Sequence, residues 1–512
     1  MKSILPAAVL AFLLLLGSRA ITADDRPNII LMMADDMGFS DIGCYGSEIE
    51  TPNLDRLASN GLRFTNFYNN AKCEPTRASL LTGKYAQAVG ASPTAVYSSP
   101  TFAEVIRPAG YRTLMTGKWH AGGKPFDRGF DRHFGLTDGC CNFFNPGMPR
   151  PDEAAPSHKR FPRRWAIDGQ AIQPFTPRNK DFYSTDAFTD HAIEYLNHYK
   201  DEDKPFVLYI GFTCPHYPLH AWPEDIAKYR DRYKAGWDEL RKSRYQRLGE
   251  FELFGELPAV SPADPASPDW STLTDAERDD WELRMAVYAA MIDRMDQNVG
   301  RLLKTLDDVG KANNTLIMFL SDNGGESNNA DWSSEKGTPA GPVESYRTVG
   351  QPWANASNTP FRKYKTFNYE GGISTPLVAY WPGVISPGTV THQVGHLIDF
   401  LPTITQLANA EYPHTWDGKP CLPPSGKSLV PIFKGKKRDP HESICWQWST
   451  AGAVRMGDWK LVRDKGKKDQ PAPWELYNLA ADRTELNDLS AENPDRVKLM
   501  RDRWEAWRVD PY

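Results

Sequence analysis

The chain is poor in features that mark several large functional classes. Its seven cysteines include no Cys-x-x-Cys pair, which argues against a structural zinc ribbon or a thioredoxin-like redox motif. Positive charge is not in excess: 60 Lys and Arg stand against 65 Asp and Glu, a net charge of -5, so there is no electrostatic case for nucleic acid or for stable association with an anionic membrane. Internal repeats and low-complexity tracts are absent. Long apolar runs are nearly so, and the one that exists, Ile4 to Leu16, follows Met1-Lys2-Ser3 and precedes Gly17-Ser18-Arg19-Ala20. It contains Pro6 and is shorter than the roughly 20 apolar residues of a membrane span, and no cysteine follows it to carry a lipid. This is the pattern of a secretory signal peptide over residues 1–23, cut after Ala20 or Ala23, which predicts export to a periplasmic or extracellular location.

What is present reads as a large globular protein. Asn28 to Ala34 is an unbroken apolar run that predicts a strand buried on both faces, as in a parallel sheet, and it ends in Asp35-Asp36. Thr315 to Leu320 repeats the design and ends in Ser321-Asp322-Asn323-Gly324-Gly325. Phe206 to Phe212 and Pro376 to Trp381 read as companion strands, the former running into Cys214-Pro215-His216. Met285 to Leu306 keeps one face apolar and reads as a core helix that stops near Gly310. Alternating helices and buried strands predict an α/β fold, a large layered α/β/α domain with a mixed, mostly parallel sheet over residues 24–410. Residues 411–512 shift to short strands, Ser443 to Trp448 and Val454 to Val462, and a last helix over Asn493 to Trp507, which predicts a smaller C-terminal α+β domain. In open α/β sheets ligands sit beyond the carboxyl ends of the strands, where these acids emerge.

Two runs carry the chemistry. Cys73-Glu74-Pro75-Thr76-Arg77 resembles the Cys-x-Pro-Ser-Arg sequence of the sulfatases, with Thr76 keeping the usual hydroxyl. Gly110-Tyr111-Arg112-Thr113-Leu114-Met115-Thr116-Gly117-Lys118-Trp119-His120 resembles their second motif. The resemblance implies an alkaline phosphatase-like fold and an arylsulfatase-like hydrolase of sulfate monoesters, in which a maturation enzyme oxidises Cys73 to formylglycine and the hydrated aldehyde is the nucleophile. It implies one calcium ion held by Asp35, Asp36, Asp322, Asn323 and an oxygen of residue 73, a set of hard oxygen donors. Asn323 stands where related phosphatases commonly place histidine. Arg77 is implied to hold the nucleophile, Lys118 and Lys365 to balance charge on sulfate, His216 to protonate the leaving group and His120 to act as base, with the two histidines open to exchange. Lys363 competes with Lys365 for the place ahead of Tyr369-Glu370-Gly371-Gly372. His220, four residues after His216, has a zinc spacing only on a helix, which Pro215 and Pro218 exclude.

The implied substrates are sulfated carbohydrate and aryl sulfates. The alternatives are a phosphate or phosphonate monoester hydrolase of the same superfamily, or a non-catalytic carbohydrate-binding relative. Leu136 to Phe182 and Trp222 to Trp281, the latter with helix over Ile226 to Leu248, interrupt the core pattern. They read either as walls of a substrate pocket or as surface excursions.

Overall fold

The computed structural model describes residues 26–90, 98–467 and 470–511. The expected signal peptide lies outside these residues. A central sheet runs in the order Thr389–Thr391, Leu62–Tyr68, Ser374–Tyr380, Thr315–Ser321, Asn28–Asp35, Phe206–Pro215, Arg112–Gly117, Arg132–Leu136, Trp165–Ile167, Gln170–Ile172. Its middle is parallel: Asn28–Asp35 pairs in that sense with both Phe206–Pro215 and Thr315–Ser321. Ser374–Tyr380 enters antiparallel to both neighbours, which makes the sheet mixed. Along Asn28–Asp35 the side chains of Ile30, Met32 and Ala34 join the hydrophobic cluster on one face, and Ile29, Leu31 and Met33 join the cluster on the other. A strand with apolar neighbours on both faces needs no polar alternation, hence the continuous apolar run.

Several elements differ from the sequence reading. The long core helix is Asp275–Asp308, starting ten residues earlier than its apolar face, because Thr274 and Glu277 form a capping box. Ile226 to Leu248 is not one helix: it divides into Pro223–Ala227 and Gly236–Glu250, with Gly236 at φ +86 opening the second, a conformation glycine adopts without strain. Val454 to Val462 is two strands, Ala451–Met456 and Trp459–Arg463, folded back at Gly457 with φ +58. Together with Ile444–Trp448 and Glu475–Asn478 they make a four-stranded antiparallel sheet, covered by the helix Pro494–Val509 through buried Trp504 and Trp507. The Trp504 indole donates to Trp446 O at 2.9 Å.

A buried ion network joins the two sheets. Lys460 Nζ, fully buried, lies 2.8 Å from Glu370 Oε1 and 2.7 Å from Glu485 Oε1. Glu485 also accepts the Glu370 backbone N–H at 2.8 Å, Tyr68 donates to Glu370 at 3.0 Å, and Arg483 pairs with Glu370. Glu370 closes the loop 361–370, whose Lys365 N–H donates to Gly325 O at 3.2 Å and whose Thr366 N–H donates to Ala71 O at 2.7 Å. The second sheet therefore fixes a loop that spans two strand ends of the first.

Candidate active site

The site gathers where the central parallel strands end. Cys73 opens the helix Cys73–Thr82, and Lys72 before it is extended and makes no side-chain cap. The first-turn N–H groups thus face the site, as suits an anion. Gly83 at φ +64 ends the helix. Thr76 Oγ1 donates to Asp322 O at 2.7 Å and accepts from Asn70 N at 3.0 Å, so the hydroxyl that this motif position keeps ties the helix to the acidic strand end.

Asp35 and Asp36 leave the strand Asn28–Asp35 with Asp36 at φ +66. Ligand atoms of Asp35, Asp36, Cys73 and His216 lie within 4.8 Å of one another, all buried. Asp322 accepts the Asp36 N–H at 3.2 Å, and Asn323 Nδ2 donates to Asp36 Oδ1 at 2.7 Å. Asp35 Oδ1 and Asn323 Oδ1 are buried with no hydrogen-bond partner, a costly state for polar atoms unless a cation takes them. Burial, reinforced by neighbouring Asp322, pushes the Asp35 carboxyl well above the usual range. Four buried carboxylates, Asp35, Asp36, Asp322 and Glu326, face three buried cations, Arg77, Lys118 and Lys365. The surplus negative charge and the oxygen-rich donors fit a hard divalent cation. His216 adds a nitrogen to this cluster.

Each cation has a defined place. Lys118 Nζ lies 2.6 Å from Asp35 Oδ2. It follows Gly117, at φ +93, where a Cβ would come within 2.0 Å of Gly211 O, so only glycine lets this strand turn against its neighbour. Lys365 Nζ lies 2.7 Å from Asp36 Oδ1 and 2.8 Å from Glu326 Oε2. Arg77 pairs with Asp322 at 3.0 Å and donates to Lys118 O at 2.9 Å and Tyr209 Oη at 3.1 Å.

The histidines differ in state. His120 Nε2 donates to Glu74 Oε1 at 3.0 Å, while its buried Nδ1 has no partner. Burial, with Lys118 nearby, outweighs Glu74 and lowers its pKa to about 4, so at neutral pH it is an uncharged base held by a carboxylate. The His120 hydrogen bond in turn holds Glu74 at about 2. His216 Nδ1–H donates to Tyr217 O at 2.6 Å and its Nε2 faces Asp36 Oδ2 at 3.4 Å. Burial, then Lys365 and Lys118, depress its pKa well below the ordinary value.

The structure thus brings together Asp35, Asp36, Cys73, Arg77, Lys118, His120, His216, Asp322, Asn323 and Lys365. Two competitors lie elsewhere: Lys363 Nζ is 3.8 Å from Asp264, and the His220 ring pairs with Ser345 O at 2.8 Å and the Phe143 N–H at 3.3 Å. Sequence reasoning passed over Glu74, Tyr209 and Glu326. Only Glu74 had a local signal, as the free position inside the Cys-x-Pro run.

An α/β/α fold with a mixed sheet, acidic strand ends and buried lysines around a helix-opening cysteine defines a hydrolase of the alkaline phosphatase-like class. The chain belongs to the sulfatase family: the Sulfatase family model matches residues 27–410, and a second model, N-sulphoglucosamine sulphohydrolase, C-terminal, matches residues 361–506. It is 32% identical to an uncharacterized sulfatase of Schizosaccharomyces pombe, over 95% of this chain and 94% of that protein. It is also 32% identical to an arylsulfatase of Klebsiella aerogenes, over 85% of this chain and 98% of that protein. Among solved structures it is similar to Ps i-CgsB in complex with k-i-k-neocarrahexaose, with TM-score 0.68, 25% identity, and coverage of 94% of this chain and 93% of that one. The protein is a sulfuric ester hydrolase. Among the described residues no helix is long and apolar enough to cross a membrane.

Proposed function

We propose that this chain hydrolyses sulfate monoesters of sulfated carbohydrates, and aryl sulfates as simpler substrates, with a formylglycine hydrate made from Cys73 by a maturation enzyme. The observation that carries the reading is the convergence of Asp35, Asp36, Cys73 and His216 within 4.8 Å, ringed by buried Arg77, Lys118 and Lys365. Asp35, Asp36, Asp322 and Asn323 would hold one calcium ion beside residue 73. When present, the ion and the hydrate supply Lewis acidity and a hydroxyl nucleophile.

The remaining work falls to the chain's own side chains. Lys118 and Lys365 meet the charge on the sulfate oxygens, and Arg77, locked by Asp322 and Tyr209, holds the nucleophile's helix to the acidic strand ends. An anionic ester offsets the field of the two lysines at His216, raises its proton affinity, and lets Nε2 protonate the leaving oxygen. His120, whose Nε2–H is engaged by Glu74, keeps its buried and unpartnered Nδ1 as the lone pair that would act as the base. The carbohydrate assignment is supported by the oligosaccharide bound to the similar solved structure and by aromatic Tyr217 beside His216, with the Trp332 ring 5.2 Å from that of Tyr217. Residues 1–23 act as the export signal, and 24–410 and 411–512 as the two domains.

The test is made on protein co-expressed with a formylglycine-generating enzyme. Its Cys73 peptide should be lighter by about 18 Da as the free aldehyde, and it should turn over 4-nitrophenyl sulfate in preference to the phosphate monoester. An unmodified Cys73, or a large preference for phosphate, refutes the reading.

A further inference from the structure

Three lysines border the reaction centre, and each is tied to a neighbour of a site residue. Lys72 directly precedes Cys73, and its Nζ stands 5.4 Å above the Trp448 ring. Lys159 Nζ stands 3.6 Å above Trp332 and donates to the Tyr217 hydroxyl at 3.4 Å, and Tyr217 follows His216, with its ring 4.0 Å from the imidazole. Lys465 Nζ donates to Thr366 Oγ1 at 2.8 Å and stands 4.9 Å above Phe367, and Thr366 follows Lys365. Among the described residues none of the three forms an ion pair, whereas Lys118 and Lys365 do. The chain as a whole is acidic, so cations without an ion pair beside three separate segments of the site are not a by-product of composition.

The cations come from different parts of the chain: Lys159 from the excursion after Leu136, Lys465 from beyond the strand Trp459–Arg463 of the second sheet, and Lys72 from the cap of the nucleophile's helix. Ring contacts hold the ammonium groups in place but satisfy them weakly, since an exposed cation–π contact is a small term beside a charge-assisted hydrogen bond. One sulfate group is already matched by Lys118, Lys365 and the cation site. The lysines at the border are therefore placed to meet negative charge elsewhere on the same substrate.

We propose that Lys159 and Lys465, with Lys72, bind a second anionic group, so that the preferred substrate is a saccharide bearing a sulfate or carboxylate besides the ester that is cleaved. This rests on the sulfate-ester reading and narrows it. Both groups share one chemistry, an oxyanion on a sugar stacked near Tyr217 or Trp448, and the test separates them.

The experiment follows turnover of 4-nitrophenyl sulfate by the matured enzyme in the presence of competitive saccharides. The probes are monosulfated and disulfated forms of the same galactose and glucosamine sugars, and a monosulfated disaccharide with a hexuronate or with the corresponding neutral hexose. The disulfated or hexuronate probe should inhibit about tenfold more tightly than its singly charged counterpart, the value of one charge-assisted contact, and the advantage should shrink as salt rises. In Lys159→Ala and Lys465→Ala the advantage should fall below about threefold, and Lys159→Arg should restore it. Equal inhibition by singly and doubly charged sugars, or an advantage that survives both alanine variants, overturns the proposal. Failure to turn over 4-nitrophenyl sulfate at all, with Cys73 modified, instead overturns the sulfatase reading beneath it.

Discussion

Replacing Glu74 tests the assignment of His120 as the base. Glu74 Oε1 accepts the hydrogen bond from His120 Nε2–H at 3.0 Å, with the side chains 30% and 16% exposed, and this single bond leaves Nδ1 as the free lone pair. A hydrogen bond between a carboxylate and an imidazole contributes about 1.5–3 kcal/mol, and partial exposure puts this one toward the lower end. Glu74→Gln keeps an oxygen acceptor, and so the tautomer, but loses the charge; kcat for 4-nitrophenyl sulfate should fall about tenfold. Glu74→Ala frees the ring to rotate and to exchange tautomers, and the loss should reach about 100-fold. Because Glu74 acts through His120, KM should stay within about twofold in both variants. Rates are normalised to the fraction of modified Cys73, measured by peptide mass, since Glu74 lies inside the Cys-x-Pro run. Removing a first-turn acid also costs about 0.3–1 kcal/mol of helix stability, which thermal melting will register separately. An alanine variant within about threefold of the parent kcat, or a loss carried wholly by KM, refutes the pairing as a functional one.

Chelation should abolish turnover, and calcium should restore it and raise the melting temperature. At 100 times the dissociation constant the ion adds about 2.7 kcal/mol, and melting that ignores calcium would speak against the Asp35 and Asp36 site. Lys460→Met leaves Glu370 and Glu485 buried without their shared cation, which should cost about 3–5 kcal/mol; a urea midpoint close to that of the parent would show the network to be dispensable. Asp399 is fully buried, and although burial alone would raise its pKa, His441 at 2.9 Å and Arg438 at 3.0 Å hold it at about 2. A carboxylate depressed in the folded state stabilises it above the unfolded pKa of about 4, and that contribution, about 2 kcal/mol, is lost as pH falls through about 2. The stability gap between the parent and Asp399→Asn should therefore narrow from pH 5 toward pH 2.5, and a constant gap would be the contrary result.

The central strands and their acids were legible because each signal is local. Asn28 to Ala34 and Thr315 to Leu320 are apolar without alternation, which only a sheet covered on both faces permits, and the carboxylates stand directly at their ends. The excursion from Trp222 to Trp281 was harder to read. Its helices end at turns such as the one before Gly236, and Thr274 with Glu277 starts the next helix ahead of any apolar face. A capping box was there to be seen, but it has meaning only if a helix follows. Tyr209 and Glu326 had no such local sign. Tyr209 sits within a buried strand and looks like any core tyrosine until Arg77, 132 positions away, is found on its hydroxyl.

Glu370 shows most clearly what pattern reading leaves out. In sequence it belongs to Tyr369-Glu370-Gly371-Gly372, a marker for the lysine that precedes it, and nothing in the tetrapeptide says what the carboxylate does. In the fold it is fully buried and receives Lys460 from the second sheet, Arg483 from the segment after that sheet, and Tyr68 from the first sheet. A carboxylate taken out of water is tolerated only with partners this close, and the loop it anchors carries Lys365 to within 2.7 Å of Asp36. The small second sheet thereby fixes the position of Lys365 from outside the acidic cluster. It supplies the charges that hold one wall in place and, through Lys465 and Trp448, side chains at that wall's outer edge.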